Sequence, residues 1–139
     1  MRYSAGAFMV PIVLTIAGSD CSSGAGAQAD LKTFTNFGCY GLTALTSVVA
    51  ETSLEVRSFA LLEPWLIKDQ VSVMVESLPI TAGKTGMLGD RPQIEAVVEA
   101  LQKGTTFPLV VDPVMVATSG ARLLAEDATQ ALTELLFPR

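Results

Sequence analysis

Polar and small residues follow each apolar segment that could form a strand of a parallel sheet. Gly18–Asp20 follows the first segment, and Glu51 follows the second. Lys84–Met87 ends the third segment, and Asp112–Met115 follows the fourth. Ligands of open parallel sheets bind beyond the carboxyl ends of the strands, so these residues are expected to meet at one edge. The pattern predicts a small-molecule site that contains carboxylates, a lysine, glycines and thioethers.

Most of the candidate residues also have a plainer structural interpretation. Asp20 could be a turn former, and Asp30 could be a solvated helix residue. Met87 could fill the core, because methionine adapts to irregular gaps. Asp112 precedes a proline, which favours an extended backbone that also suits a turn. Lys84 is harder to explain in this way, since its strand is otherwise built of small residues.

The composition restricts the function classes. Half of the 139 residues are hydrophobic and 17% are charged, which suits a sheet buried on both faces. The net charge of −5 argues against a nucleic-acid partner, and the lack of histidine excludes Ser-His and Cys-His catalytic pairs. Cys21 and Cys39 match no metal or redox motif, so a reduced cytoplasmic location is expected. No apolar run approaches the ~18 residues of a membrane helix, so no membrane partner is expected.

Strand-like and helix-like segments alternate along the chain. Strands are predicted at Ile12–Ala17, Leu42–Ala50, Val56–Leu62, Ile80–Met87 and Pro108–Val111. Loops are predicted at Gly18–Gly24 and Val114–Gly120. Alternation of this kind is typical of βαβ units with helices packed on a parallel sheet. The sequence therefore predicts an α/β fold without an internal domain boundary over residues 1–139.

The predicted helices are marked by apolar stripes and by glycine or proline at their ends. The first presents an apolar face formed by Ala27, Leu31, Phe34 and Phe37, and it ends at Gly38. The second begins near Pro64 and ends at Pro79. The third is capped by Asp90 and closed by Gly104, and the last covers Glu126–Phe137.

Two glycine-containing segments come close to nucleotide-binding motifs. Gly83–Thr85 resembles the end of a P-loop, but the earlier glycine of that motif would fall at Leu78. Gly24–Ala29 fits the dinucleotide pattern G-x-G-x-x-A, with Glu51 in the place of the ribose-binding acid. Residues 18–23 separate the first strand from that pattern, which disfavours a Rossmann oxidoreductase.

Four segments together carry a resemblance to a known family. They read TIAGSDCSSGAGAQADLKTF, CYGLTALTSVVAETS, KTGML and VVDPVMVATSG. In this order and spacing they resemble the hydroxymethylpyrimidine/phosphomethylpyrimidine kinases of thiamine biosynthesis, from Val13 to the end of the chain. The resemblance implies a ribokinase-like three-layer α/β/α fold with a mainly parallel central sheet. Pyridoxal kinases share this fold, so a pyridoxal-type vitamin kinase is the alternative within it.

The resemblance also implies roles for single residues. Gly18 and Asp30 match positions that line the pyrimidine pocket, and Met87 and Val114 match apolar walls against the ring. Asp112 matches an acid near the phosphates and the magnesium ion. Lys84 is a further candidate, because an ammonium group there could offset phosphate charge.

The implied reaction is transfer of the γ-phosphate of ATP to hydroxymethylpyrimidine and then to its monophosphate. ATP and Mg²⁺ are thus the implied cofactors, and positioning and charge neutralisation are the main requirements. The full-length enzyme is expected to be a cytoplasmic homo-oligomer.

Glu51 departs from the family pattern, which usually has glutamine at this position. A glutamine amide both donates and accepts hydrogen bonds, whereas a carboxylate only accepts. Pyrimidine recognition is therefore expected to be weaker, altered or dependent on pH unless one partner carries a proton.

The second departure is length. Family members continue into further strands, a nucleotide-binding region and a glycine-rich loop that carries the catalytic cysteine. That loop would lie beyond Arg139, so no catalytic residue is assigned within this chain. The chain resembles a single partial domain, the pyrimidine-side half of the kinase with the C-terminal part missing. A catalytically inactive fragment, prone to pair through an open sheet edge, is the remaining alternative.

Overall fold

A computed structural model describes residues 10–102, 105–117, 120, 122–125 and 127–138. Its centre is a sheet of five strands in the order β3-β2-β1-β4-β5. The strands are β1 Ile12–Asp20, β2 Tyr40–Glu51, β3 Val56–Leu61, β4 Ala82–Thr85 and β5 Leu109–Val111. All neighbours run parallel except β2 and β3, which form an antiparallel pair. The predicted α/β class and mainly parallel sheet are confirmed.

Helices cover both faces of the sheet. They are α1 Gly26–Asn36, α2 Pro64–Ser77, α3 Arg91–Gln102 and α4 Ala128–Ala131, which continues as a π-helical turn over Leu132–Leu136. Side chains alternate across a strand. On β1, Leu14 and Ile16 belong to the core that contains Ile67 of α2, whereas Thr15 faces α1 and bonds Asp30. This arrangement gives the three layers that the resemblance implied.

The observed bounds of β1 and β4 differ from the predicted bounds. β1 continues through Gly18 to Asp20, where a loop was predicted, because Ser19 and Asp20 pair with Val48 and Val49 after a bulge. β4 covers only Ala82–Thr85 of the predicted Ile80–Met87, and its pairing with β5 is equally short, from Gly83 to Thr85. Pairing between strands decides these bounds, and no local signal specifies it.

The helix predictions need smaller corrections. Phe37 was assigned to the apolar face of α1, but the helix ends at Asn36 and Phe37 is 81% exposed. Gly38 has a φ of +71° and turns the chain there. The last helical segment begins at Ala128, and both Glu126 and Gly104 lie outside the described residues. Among the helices described, none has the length and apolar character needed to cross a membrane.

Candidate functional site

A cavity of about 440 Å³ opens at the carboxyl ends of the parallel strands. Seven residues that the sequence proposed for the site line it, namely Gly18, Asp30, Glu51, Lys84, Met87, Asp112 and Val114. They come from β1, α1, β2, β4 and the segments that follow β4 and β5. Met115, the other methionine at these strand ends, is 40% exposed and does not line the cavity.

The Asp20 carboxylate organises the loop between β1 and α1. It accepts hydrogen bonds from the backbone N–H groups of Ser22, Gly24 and Ala25 at 2.7 to 3.0 Å. The Ser22 hydroxyl donates a further bond at 3.0 Å. Asp20 is only 3% exposed, so these bonds replace its hydration. The loop is therefore shaped around a protein carboxylate, which agrees with the interpretation of Asp20 as a turn former.

Gln28 ties α1 to the same end of β1. Its side-chain oxygen accepts from the backbone N–H of Asp20 at 3.0 Å, and its amide nitrogen donates to Ser19 Oγ at 2.6 Å. Gly26, the first residue of α1, has a φ of +60° and lies against the carbonyl of Gly18. The helix thus starts in direct contact with the strand that forms the cavity floor.

We expect the Asp20 interactions to appear in the pH dependence of stability. Burial would raise the pKa of Asp20, but the hydrogen bonds from Ser22, Ala25 and Gly24 hold this pKa below its ordinary value of 3.8. The carboxylate therefore stabilises the fold above about pH 4, and this stabilisation is lost as the pH falls through the folded-state pKa. Asp20→Asn should lower the free energy of unfolding by about 2–3 kcal/mol at pH 7, because an amide cannot accept all four bonds.

Chemical denaturation between pH 3 and pH 7 measures this effect. The difference in free energy of unfolding between wild type and Asp20→Asn should become smaller towards pH 3. Asp127→Asn is the matched control, since Asp127 is exposed and its side chain makes no capping hydrogen bond. A difference that stays constant over the whole range would contradict the assignment.

Lys84 forms the charged centre of the cavity. Its Nζ lies 3.0 and 3.1 Å from the carboxylate oxygens of Asp30 and 3.8 Å from Asp112 Oδ2. Asp30 also accepts a 2.6 Å hydrogen bond from the Thr15 hydroxyl. Among the described residues, Lys84 is the only cation that lines the cavity. It therefore neutralises carboxylates in the free protein and could also attract a phosphate.

Glu51 is the last residue of β2 and lines the cavity. Its carboxyl group differs from the other cavity carboxylates in its hydrogen bonding and ion pairing. Neither a hydrogen bond nor an ion pair involves its carboxyl group within the described part of the chain. Burial raises the pKa of Glu51, and the negative charge of Asp20 raises it further. Sequence reasoning placed Glu51 here correctly but had no signal for its isolation.

The apolar wall combines predicted and unpredicted residues. Met87 and Val114 were predicted, and they pack in one cluster with Val49 and Leu123. Met87 is fixed through its carbonyl, which accepts a 2.6 Å hydrogen bond from the Thr46 hydroxyl. Val49 could have been found from its place near the end of β2. Leu123 carries no such signal, because it reaches the cavity from a segment well beyond β5.

The fold and the cavity together define the class of protein as a ribokinase-like α/β protein with a small-molecule site at the carboxyl edge of its sheet. The structure is similar to a crystal structure of phosphomethylpyrimidine kinase from Clostridium difficile, with a TM-score of 0.85 and 42% identity. That match covers 92% of this chain and 55% of the other. The family described as phosphomethylpyrimidine kinase matches residues 20–139, and this chain belongs to it. The resemblance inferred from the sequence is confirmed.

Further relatives place the chain within this group. It is 45% identical over 138 residues to a putative hydroxymethylpyrimidine/phosphomethylpyrimidine kinase 2 of Schizosaccharomyces pombe, covering 99% of this chain and 25% of that protein. A pyridoxal kinase from Staphylococcus aureus, solved with AMP-PCP and pyridoxal, aligns with a TM-score of 0.79 and 36% identity. That alignment covers 94% of this chain and 46% of the other. The chain thus spans between a quarter and about half of the length of these relatives.

Proposed function

We propose that this chain carries the pyrimidine-binding half of an ATP-dependent kinase that phosphorylates hydroxymethylpyrimidine and its monophosphate. The observation that carries the proposal is the single cavity lined by all the residues that match the pyrimidine side of the family. Membership of the phosphomethylpyrimidine kinase family supports the reaction class. Catalytic groups are not assigned within residues 1–139.

In this proposal, different residues of the cavity wall contact different parts of the pyrimidine. Met87, Val49 and Val114 form an apolar surface against which a flat ring can pack. Gly18 lines the same cavity. A Cβ there would lie 2.5 Å from Ser47 Oγ and 3.5 Å from the Met87 sulfur, so the packing of this wall requires glycine. Glu51 supplies a polar group at the ring edge. Orientation of this kind lowers the barrier to phosphoryl transfer by fixing the acceptor hydroxyl before reaction.

The charged side of the cavity would serve the phosphoryl group. Lys84 offsets negative charge, and Asp30 holds Lys84 in place through two contacts near 3 Å. The Asp112 side chain is 49% exposed and is the carboxylate available for Mg²⁺. One carboxylate suits Mg²⁺ that takes its other ligands from nucleotide phosphates and water. The described residues contain no group of three or more histidine, cysteine, aspartate or glutamate side chains that could hold a metal ion. ATP, when bound, supplies the phosphoryl group.

The remaining expectations belong to the same proposal. Residues 1–139 would form a single partial domain, and the full-length enzyme would act as a cytoplasmic homo-oligomer. Neither nucleic acid nor membrane is a proposed partner. The net charge of −5 supports the first exclusion, since nucleic-acid binding needs a basic surface.

A paired binding and transfer assay tests the function. We expect the protein to bind hydroxymethylpyrimidine at least about tenfold more tightly than pyridoxal by calorimetry, because a substrate that leaves polar groups unpaired is discriminated against. Transfer of phosphate from ATP is then measured on both compounds. Preference for pyridoxal in both assays would favour the pyridoxal-type kinase. The similarity to the staphylococcal pyridoxal kinase is the reason for testing this alternative. Pyrimidine binding without transfer would favour the inactive fragment.

A further inference from the structure

Among the described residues, Glu51 is the cavity carboxyl group that makes neither a hydrogen bond nor an ion pair. Asp20 is saturated by its own loop, and Asp30 is bonded to Lys84 and Thr15. Asp112 lies 3.8 Å from Lys84. The Glu51 carboxyl group has no comparable partner within the described residues, although it lines the same cavity.

The charges around Glu51 disfavour its ionised form. Asp20 faces it from the end of β1, and this negative charge acts on it directly. Asp30 and Asp112 face the cavity from α1 and from the segment after β5, and Lys84 from β4. The hairpin after Glu51 adds Glu55 and Arg57, which pair with each other at 2.7 Å on the exposed surface. Lys84 is already shared by two carboxylates, so the balance around Glu51 is negative.

The chemistry of a complementary ligand follows from this isolation. A neutral carboxylic acid offers one donor and one acceptor side by side. An aminopyrimidine offers the complementary pair, a ring nitrogen that accepts and an amino group that donates. The same two hydrogen bonds form if the proton sits on the ring nitrogen and the carboxyl group is ionised. If neither group carries the proton, the ring nitrogen and a carboxylate oxygen place lone pairs against each other.

We propose that Glu51 and the ring nitrogen of the bound heterocycle share one proton, so that binding takes up a proton and weakens as the pH rises. This inference rests on the proposed pyrimidine-binding function. The proton comes from solvent and stays between the two partners, and no covalent bond changes. Burial and the charge of Asp20, which raise the pKa of Glu51, support the same direction.

Calorimetry with hydroxymethylpyrimidine tests the proposal without a variant. Titrations at one pH in buffers of different ionisation enthalpy give the number of protons taken up on binding. We expect a value approaching one proton per bound ligand at pH 8. Affinity should fall by up to about tenfold per pH unit between pH 7 and pH 9, as a single linked proton requires.

Two matched variants separate the Glu51 inference from the function itself. Glu51→Gln should bind with no proton uptake, with affinity independent of pH over this range, and more tightly than wild type at pH 9. Glu55→Gln removes the same charge from the neighbouring exposed pair and should behave like wild type. Pyrimidine binding by wild type with zero proton uptake, or an unchanged pH slope in Glu51→Gln, would overturn the inference alone. Absence of pyrimidine binding in wild type and in Glu51→Gln at every pH would overturn the proposed function with it.

Discussion

Gly26→Ala is expected to destabilise the protein by about 3 kcal/mol or more and to abolish ligand binding. Gly26 has a φ of +60°, which costs an alanine about 1–2 kcal/mol. The larger cost is steric, because a Cβ at this position would collide with the carbonyl oxygen of Gly18 and lie 3.3 Å from the Asp20 nitrogen. Both neighbours are backbone atoms of β1, so the start of α1 must move away from the cavity floor.

Gly38→Ala is a matched control for this prediction. Gly38 also has a positive φ, +71°, but a Cβ there would meet no atom within 4 Å. We expect it to cost only about 1 kcal/mol and to leave binding intact. Urea denaturation gives both free energies of unfolding, and calorimetry with hydroxymethylpyrimidine gives the binding. Equal destabilisation by the two substitutions would contradict a role for the contact between Gly26 and Gly18.

Lys84→Met is expected to weaken the binding of hydroxymethylpyrimidine phosphate by about tenfold to a hundredfold, with a much smaller effect on the unphosphorylated compound. The substitution removes the ammonium group that lies beside Asp30 and Asp112 and leaves their carboxylates uncompensated. An attraction between unit charges about 4 Å apart is worth up to ~4 kcal/mol near a protein surface. Its loss should therefore be felt mainly by the ligand that carries phosphate.

The stability effect of Lys84→Met should be smaller than the binding effect. The Lys84 and Asp30 side chains are 25% and 16% exposed, so water partly compensates the carboxylate that is left. We expect a loss of about 1–2 kcal/mol, part of which Asp30→Asn should restore in the double variant. Lys68→Met is the control. Lys68 Nζ lies 2.5 Å from a carboxylate oxygen of Glu99, and neither residue lines the cavity. If both ligands lost affinity equally, Lys84 would only maintain the shape of the cavity.

Local sequence patterns predicted much of the scaffold because they depend on neighbouring residues. The apolar stripe of Ile67 and Val71 marked α2, and Pro64 marked its start. The rule that ligands meet at the carboxyl ends of parallel strands brought Gly18, Glu51 and Lys84 to one edge. That rule needs only the order of strands and their direction. The family resemblance added the reaction, which no pattern of periodicity contains.

Element ends were less predictable because pairing between distant segments sets them. β1 reaches Asp20 because Ser19 and Asp20 find partners at Val48 and Val49. The short β4 matches a β5 of three residues, Leu109–Val111. The residues at the end of a strand do not indicate which distant residues will pair with them. Phe37 was misplaced for a related reason, since the turn at Gly38 ends the helix before its apolar face is complete.

The sequence by itself determined which residue types stand at the site and which strands deliver them. Only the tertiary structure decided what those residues do to one another. In the fold, the Asp20 carboxylate binds the backbone of its own loop and is not free for a ligand. Lys84 contacts Asp30, which lies 54 residues away in the sequence. Glu51 was left without a partner beside them. The physical reason is that hydrogen bonds and charge interactions act over a few ångströms in space, so the protonation and availability of a group depend on neighbours that only folding assembles.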